Sequence, residues 1–281
     1  MAIFRRLGFA VGVLGLAVGV TGLAAASEPL PWQMGFQPAA TTTMERINDF
    51  HNLMLVVITA IAVFVLLLLL YVMYRFSERR NPTPSKTTHN TLLEVLWTTV
   101  PVIILVVIAI PSFRLLYYTD RAEDAEMTLK AIGHQWYWSY EYPDQGNFAF
   151  DAVMLTDDEL EEGQRRLLET DNAIVLPVGT KIRLLVTADD VIHSFAVPAF
   201  GIKLDANPGT VNETWFEIAR EGTFYGQCSE ICGSGHSYMP IMVKAVSKEE
   251  FVRWSEEAKK EFARAEGTES RTRLARTENA D

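Results

Sequence analysis

Residues 226–239 read Gly226-Gln-Cys228-Ser-Glu230-Ile-Cys232-Gly-Ser-Gly-His236-Ser-Tyr-Met239, and they hold the only two cysteines of the chain. Two thiols, an imidazole and a thioether lie close together, and another histidine, His193, lies upstream. Soft sulfur with imidazole takes copper or zinc in preference to hard cations, and zinc has little use for a thioether. A single blue-copper ion uses two histidines, one cysteine and a weak axial methionine, which leaves one thiolate over. Two copper ions sharing both thiolates would use every donor. Each would take one imidazole, from His193 or His236, with Met239 weakly axial on one ion and a backbone carbonyl of the Cys228–Cys232 loop on the other. Two thiolates offset most of the charge of a mixed-valence pair. Such a site passes electrons and does not activate substrate. A disulfide is the competing reading, since two cysteines in an extracytoplasmic domain commonly pair; His193, His236 and Met239 weigh against it.

Outward from this stretch the chain is a succession of short runs rich in β-branched and aromatic residues, separated by turn residues. Gly222–Gly226 and Ile241–Val246 flank it. Met127–Ile132, Gln135–Tyr142, Phe148–Leu155, Ala173–Leu176, Lys181–Thr187, Ser194–Val197 and Thr214–Ile218 read as further strands. Many strands at short spacing predict an all-β sandwich. Two capping-box patterns predict helices, one opening at Thr156 in an acidic insert that ends near Asp171, the other opening at Ser247 and reaching about Ala265. Residues 266–281 lack an apolar period and read as a frayed tail.

The run Gln135-Trp136-Tyr137-Trp138-Ser139-Tyr140-Glu141-Tyr142 puts Trp136, Trp138 and Tyr140 on one face of a strand, with aromatics on the other face too. Aromatic strands usually belong to a core. With both faces aromatic, one face can instead be a docking patch, ringed by Glu141, Asp151, Asp171 and Asp190. His51, His89 and His134 have no comparable neighbours. The first two flank apolar segments and His134 starts a strand.

Before residue 119 the character changes. Residues 1–118 carry 8 Lys and Arg against 5 Asp and Glu, whereas residues 119–281 carry 17 against 30, giving +3 and −13 within a total of −10. So acidic an outer part repels polynucleotide and attracts basic partners, through a field that salt screens. The start has Arg5-Arg6, an apolar stretch from Leu7 to Leu23, then Ala24-Ala25-Ala26-Ser27. This is a secretory signal layout with cleavage after Ala26; an uncleaved membrane helix is the alternative. Pro29, Pro31 and Pro38 make residues 27–45 an extended lead-in within a periplasmic segment 27–51. Asn52–Tyr74 has no charged side chain and, at helical rise, spans about 35 Å, enough to cross a bilayer. Leu92–Tyr118 is a second apolar span, interrupted by Pro101 and Pro111, which neighbouring helices would accommodate. The loop 75–91, with Arg75, Arg79, Arg80 and Lys86 against Glu78, is cytoplasmic by the positive-inside rule, which places both mature termini outside. Two helices cannot enclose a transport path, so a membrane partner is implied. Glu94 is open to two readings, an interfacial acid complementing the helix dipole or a mark of a proton route.

The helix hairpin, the aromatic run, the His193 segment and the cysteine stretch together resemble subunit II of the haem–copper respiratory oxidases, in the bacterial cytochrome c oxidase type. The resemblance spans nearly all of the mature chain. It implies a cupredoxin-like sandwich holding the dinuclear copper centre CuA, with His193, Cys228, the backbone carbonyl of Glu230, Cys232, His236 and Met239 as ligands. It also implies a magnesium ion shared with subunit I and held by the Glu230 side chain, electron acceptance at Trp136, and docking of a basic cytochrome c on Glu141, Asp151, Asp171 and Asp190. Glu94 matches the glutamate at the mouth of a proton pathway into subunit I. The implied activity is transfer of electrons from cytochrome c to the haem of subunit I, where oxygen is reduced to water and protons are pumped, at the bacterial inner membrane and among other oxidase subunits. The quinol-oxidase type of subunit would lack the cysteine pair. A copper carrier would not need a fixed two-helix anchor, and nitrous oxide reductase would need a large further domain.

Overall fold

The computed structural model describes residues 27–120 and 124–263. The signal-type segment 1–26 and the tail 266–281 lie outside these residues. Two long helices, α1 (Thr42–Arg75) and α2 (Thr91–Asp120), precede ten strands and a terminal helix, α3 (Lys248–Ala263). The charge-free span 52–74 lies wholly inside α1, and 92–118 inside α2 with both prolines. The lead-in is shorter than expected, because Thr41 caps α1 by accepting the Met44 N–H at 3.0 Å and Glu45 sits in the first turn. Helix therefore begins about ten residues above the charge-free span, and residues 42–51 belong to it and not to an extended segment. Large apolar side chains along both helices are exposed, as expected of surfaces made for lipid or for other membrane helices.

The strands are β1 (Met127–His134), β2 (Tyr137–Tyr142), β3 (Phe148–Ala152), β4 (Ile174–Pro177), β5 (Lys181–Ala188), β6 (His193–Val197), β7 (Ile202–Ala206), β8 (Asn212–Glu217), β9 (Gly222–Cys228) and β10 (Pro240–Val246). They form two five-stranded sheets, ordered β3-β2-β1-β5-β8 and β4-β10-β9-β6-β7. In β1, Met127, Leu129 and Ala131 alternate inward; in β5, Ile182, Leu184 and Val186 do the same. Against them the other sheet sets Phe195, Val197, Phe224, Ile241 and Val243, closing a sandwich as the strand pattern predicts. Helix α3 lays Phe251, Trp254, Ala258 and Phe262 over the end formed by β3 and β4. Trp254 sits 5.2 Å from Tyr142 and Phe262 sits 4.8 Å from Phe150, ring to ring.

Four sequence expectations need correction. The acidic insert is not helical. Its capping bonds form, Thr156 N–H donating to Glu159 Oε2 at 3.0 Å, but Gly163 and Leu167 take positive φ and the segment continues as turns. Leu160, Leu167 and Leu168 stand at helical spacing, but the positive-φ turns at Gly163 and Leu167 interrupt the run, and Glu169 turns inward to accept the Tyr225 hydroxyl at 2.6 Å. Strand β7 was not expected; it is a five-residue sheet edge whose Lys203 and Asp205 face outward while Ile202, Leu204 and Ala206 turn toward the core, a short period-two pattern absent from the expected strands. β2 begins at Tyr137, so Gln135 and Trp136 form the β1–β2 turn and Trp136 leaves the face shared by Trp138 and Tyr140. His134 ends β1 and does not open a strand.

The sandwich is seated on the helix hairpin. Ala40 N–H donates to Ala199 O and Ala219 N–H to Ala40 O, each at 2.8 Å. The Trp215 indole donates to Tyr118 O at 2.9 Å, and the Arg46 guanidinium lies 3.7 Å above the Tyr118 ring. At the other side, Ser27 N–H donates to Thr223 O, and Glu28 pairs with Arg165 of the acidic insert.

Candidate metal centre

β6 and β9 run antiparallel with Phe195 opposite Cys228, so His193, two residues before Phe195, emerges on the same inward face as the Cys228 thiol. The chain leaves β9 at Cys228, loops through Cys232, makes a single 3₁₀ turn at His236–Tyr238, and re-enters the sheet at Pro240, opposite Gln227. That return brings the donors together. The Cys228 and Cys232 sulfurs are 3.9 Å apart, about twice the length of a disulfide bond, and both thiols are free. His193 Nδ1 lies 3.9 Å from Cys228 Sγ, His236 Nδ1 lies 3.6 Å from Cys232 Sγ, and Met239 Sδ lies 3.6 Å from Cys232 Sγ. The Glu230 carbonyl is 3.3 Å from Cys228 Sγ. His193, Cys228, Cys232 and Met239 are all buried.

Glycine makes room for this arrangement. A Cβ at Gly133 would lie 2.9 Å from the His193 ring, and one at Gly235 would lie 2.3 Å from the Trp136 ring. Trp136 covers the loop, its indole donating to Cys232 O at 3.3 Å, while the Gln135 side chain donates to the same carbonyl at 2.7 Å. Trp138 faces the interior. Its ring meets His193 edge-on at 6.0 Å and its N–H donates to Met239 O at 3.2 Å, a supporting role the aromatic pattern alone did not separate from Trp136.

Asp190 is the second residue whose place the sequence did not foretell. Its Oδ1 is 2.8 Å from His193 Nε2, and its carboxylate also accepts the Gln135 and Val191 amides at 2.6 Å. A carboxylate on the far nitrogen directs the His193 lone pair at Nδ1 toward the sulfurs. An Asp three residues before a histidine was the available signal. Burial works to raise the Asp190 pKa, but the hydrogen bonds from His193, Val191 and Gln135 outweigh it and hold the group ionised. For His193 burial works downward, and the contacts with Cys228 and Asp190 raise its pKa instead. Burial would also raise the Cys228 thiol, yet the His193 hydrogen bond and backbone bonds at Glu230 and Ser194 bring it down to about 6. Burial and the adjacent Cys228 push Cys232 up to about 12. Buried soft donors at these spacings fit a thiolate-bridged copper pair, the donor set read from the sequence.

Residues 127–246 match the family described as cytochrome C oxidase subunit II, periplasmic domain, and residues 29–115 match cytochrome C oxidase subunit II, transmembrane domain. A probable cytochrome c oxidase subunit 2 of Rickettsia bellii is 51% identical over 243 residues, covering 86% of this chain and 90% of the relative. The chain belongs to the cytochrome c oxidase subunit II family. Subunit 2 of Oenothera berteroana is likewise 51% identical over 230 residues, covering 80% of this chain and 89% of the relative. The crystal structure of the periplasmic domain of subunit II of Bradyrhizobium japonicum is 54% identical, covers 50% of this chain and 99% of that one, and has a TM-score of 0.48.

In this subunit II, Glu94, Glu141, Asp151 and Asp171 have hydrogen-bond or ion-pair partners away from the sulfur cluster. Glu94 is in the first turn of α2, its carboxylate accepting the Asn90 N–H at 3.3 Å while Asn90 accepts the Leu93 N–H at 3.2 Å. Glu141 pairs with Lys130 at 3.0 Å, Asp151 accepts the Ser139 hydroxyl at 2.6 Å, and Asp171 accepts the Val153 and Asn172 amides. Glu230 is exposed on the rim of the cysteine loop.

Proposed function

We propose that this chain is the electron-accepting subunit of its oxidase, receiving electrons from reduced cytochrome c and passing them to the haem of subunit I, where oxygen is reduced to water and protons are pumped. The observation that carries this reading is the 3.9 Å separation of two free, buried thiols, with one imidazole beside each. His193, Cys228, the Glu230 carbonyl, Cys232, His236 and Met239 would hold the copper pair. Bound there, CuA would supply a one-electron relay with little change in bond lengths. The chain's own residues keep that place dry and rigid. Trp138 and Gly133 fix the His193 ring, Asp190 sets its tautomer, and Gln135 and Trp136 pin the Cys232 carbonyl. Trp136, partly exposed and one hydrogen bond from the Cys232 backbone, is the residue through which an electron would arrive from outside.

In the same reading the basic cytochrome docks on Glu141, Asp151 and Asp171, with Asp190 contributing charge while bonded to His193. The exposed Glu230 carboxylate would hold magnesium at the subunit I boundary, and Glu94 would stand at the mouth of a proton pathway. The chain crosses the bacterial inner membrane twice, loop 75–91 inside and both mature ends in the periplasm. Electron paramagnetic resonance of the copper-loaded chain tests the assignment. The expected spectrum shows hyperfine splitting by two equivalent copper nuclei, lost in His236→Asn. A single-nucleus pattern, or a disulfide in the purified chain, would overturn it.

A further inference from the structure

A second surface of this chain stands outside the electron-transfer site. Residues 29–41 contain no charged side chain, yet Leu30, Trp32, Met34 and Phe36 are 57%, 98%, 96% and 49% exposed. They are not a loose tether. Gln33 N–H donates to Leu30 O at 3.1 Å and Leu30 N–H to Gln33 Oε1 at 3.0 Å, closing a turn in which Trp32 has φ 60°. The segment is fastened at both ends, through Ser27 to Thr223 and through Ala40 to Ala199. A fixed turn thus holds two large apolar side chains away from the protein.

The level of this turn along α1 follows from one contact. The Phe36 ring meets His51 edge-on at 4.7 Å. His51 is nine residues into α1, about 14 Å along the helix from Thr42, and it directly precedes the charge-free span that begins at Asn52. From Phe36 the chain must climb to Thr42 before α1 turns back down past His51. Phe36 therefore lies beside α1 at the boundary between its charged upper part, with Glu45, Arg46 and Asp49, and its apolar part, and Trp32 and Met34 are within four residues of it along the chain. Tryptophan at that depth has its ring among apolar groups and its N–H among headgroups, the position such residues favour in membranes. The exposed apolar faces of α1 continue the same surface downward.

We propose that the Leu30–Phe36 turn is a membrane-surface anchor, with Trp32 and Met34 seated among the phospholipid headgroups and upper acyl carbons on the sandwich side. It steadies the sandwich against rocking on the helix hairpin, because the same segment is bonded to β9 through Ser27 and, through Ala40, to Ala199 in the single 3₁₀ turn Pro198–Phe200 before β7.

The test is photo-crosslinking in the assembled oxidase, in its own membranes, with Trp32→p-benzoylphenylalanine and, separately, Met34→p-benzoylphenylalanine. Val252→p-benzoylphenylalanine, at an exposed site on α3, is the water-facing control. The expected result is a mass increase of one phospholipid on the chain at positions 32 and 34 and no such increase at 252. Adducts to another oxidase polypeptide at both positions would overturn the proposal in favour of a subunit contact. Absence of any adduct at both, with the chain present in the membrane at its normal level, would overturn it in favour of a solvent-facing turn.

Discussion

At Cys228 and Cys232 two thiols of the same kind, four residues apart, are held in opposite protonation states. His193 and the backbone keep Cys228 largely ionised at neutral pH, while Cys232, beside that charge, keeps its proton. Metal loading must remove whatever protons the ligands still carry. Loading the metal-free chain near pH 7 is therefore expected to release the Cys232 proton. Below about pH 6 the Cys228 proton is added to the count. Titration calorimetry in buffers of differing ionisation enthalpy reads that number, and a count that stays level as pH falls through this window would contradict the assignment. Asp190→Asn tests the second residue that matters here. Losing the anionic partner of His193 Nε2 is expected to weaken copper about 10–100-fold in chelator competition with the sandwich still folded. A change confined to cytochrome binding would make Asp190 a docking acid alone. The donors themselves were legible because residue chemistry is local, whereas the Asp190–His193 bond depends on how the loop before β6 folds back.

Among elements, the loop between β9 and β10 is shaped by what lies over it. Gly235→Ala would drive a methyl into the Trp136 ring, 2.3 Å away, and is expected to cost about 1–3 kcal/mol in chemical denaturation while slowing electron acceptance more than it alters the copper spectrum. An unchanged acceptance rate would return Trp136 to a packing role. α3 stands on its cap, Ser247 Oγ accepting the Glu250 N–H at 3.2 Å, and Ser247→Ala is expected to cost about 1 kcal/mol in the same measurement. The two capping boxes teach where pattern reading stops. Both form their local bonds, but the first run is broken by positive-φ turns at Gly163 and Leu167, whereas the one at Ser247 continues without glycine through Phe251, Trp254, Ala258 and Phe262, packed on the sandwich, and only that one becomes a helix. β7 was not expected although its signal is present: Ile202-Lys203-Leu204-Asp205-Ala206 alternates apolar and polar residues, but the run is only five residues long, and it pairs as a hairpin with β6, its neighbour in sequence.

The whole molecule is electrically divided, nearly balanced along the helices and strongly acidic beyond residue 119. Association with a basic cytochrome is expected to slow as salt rises, since at 0.1 M the field of exposed carboxylates is cut off beyond about 10 Å. Stopped-flow rates at several ionic strengths measure this, and a flat response would remove the acidic steering. The order of residues alone established two helices apolar enough to span a membrane, a sandwich of short strands and the membership of a soft Cys/His/Met donor cluster, because hydropathy, alternation and ligand chemistry are properties of neighbouring residues. Only the tertiary structure decided that Trp136 leaves its strand to lie on the Cys232 carbonyl, a contact between residues 96 positions apart. The same holds for Phe36, whose ring marks the level of the membrane boundary by touching His51. Contacts of that kind are made by the packing of distant segments, whose energy no stretch of sequence carries alone.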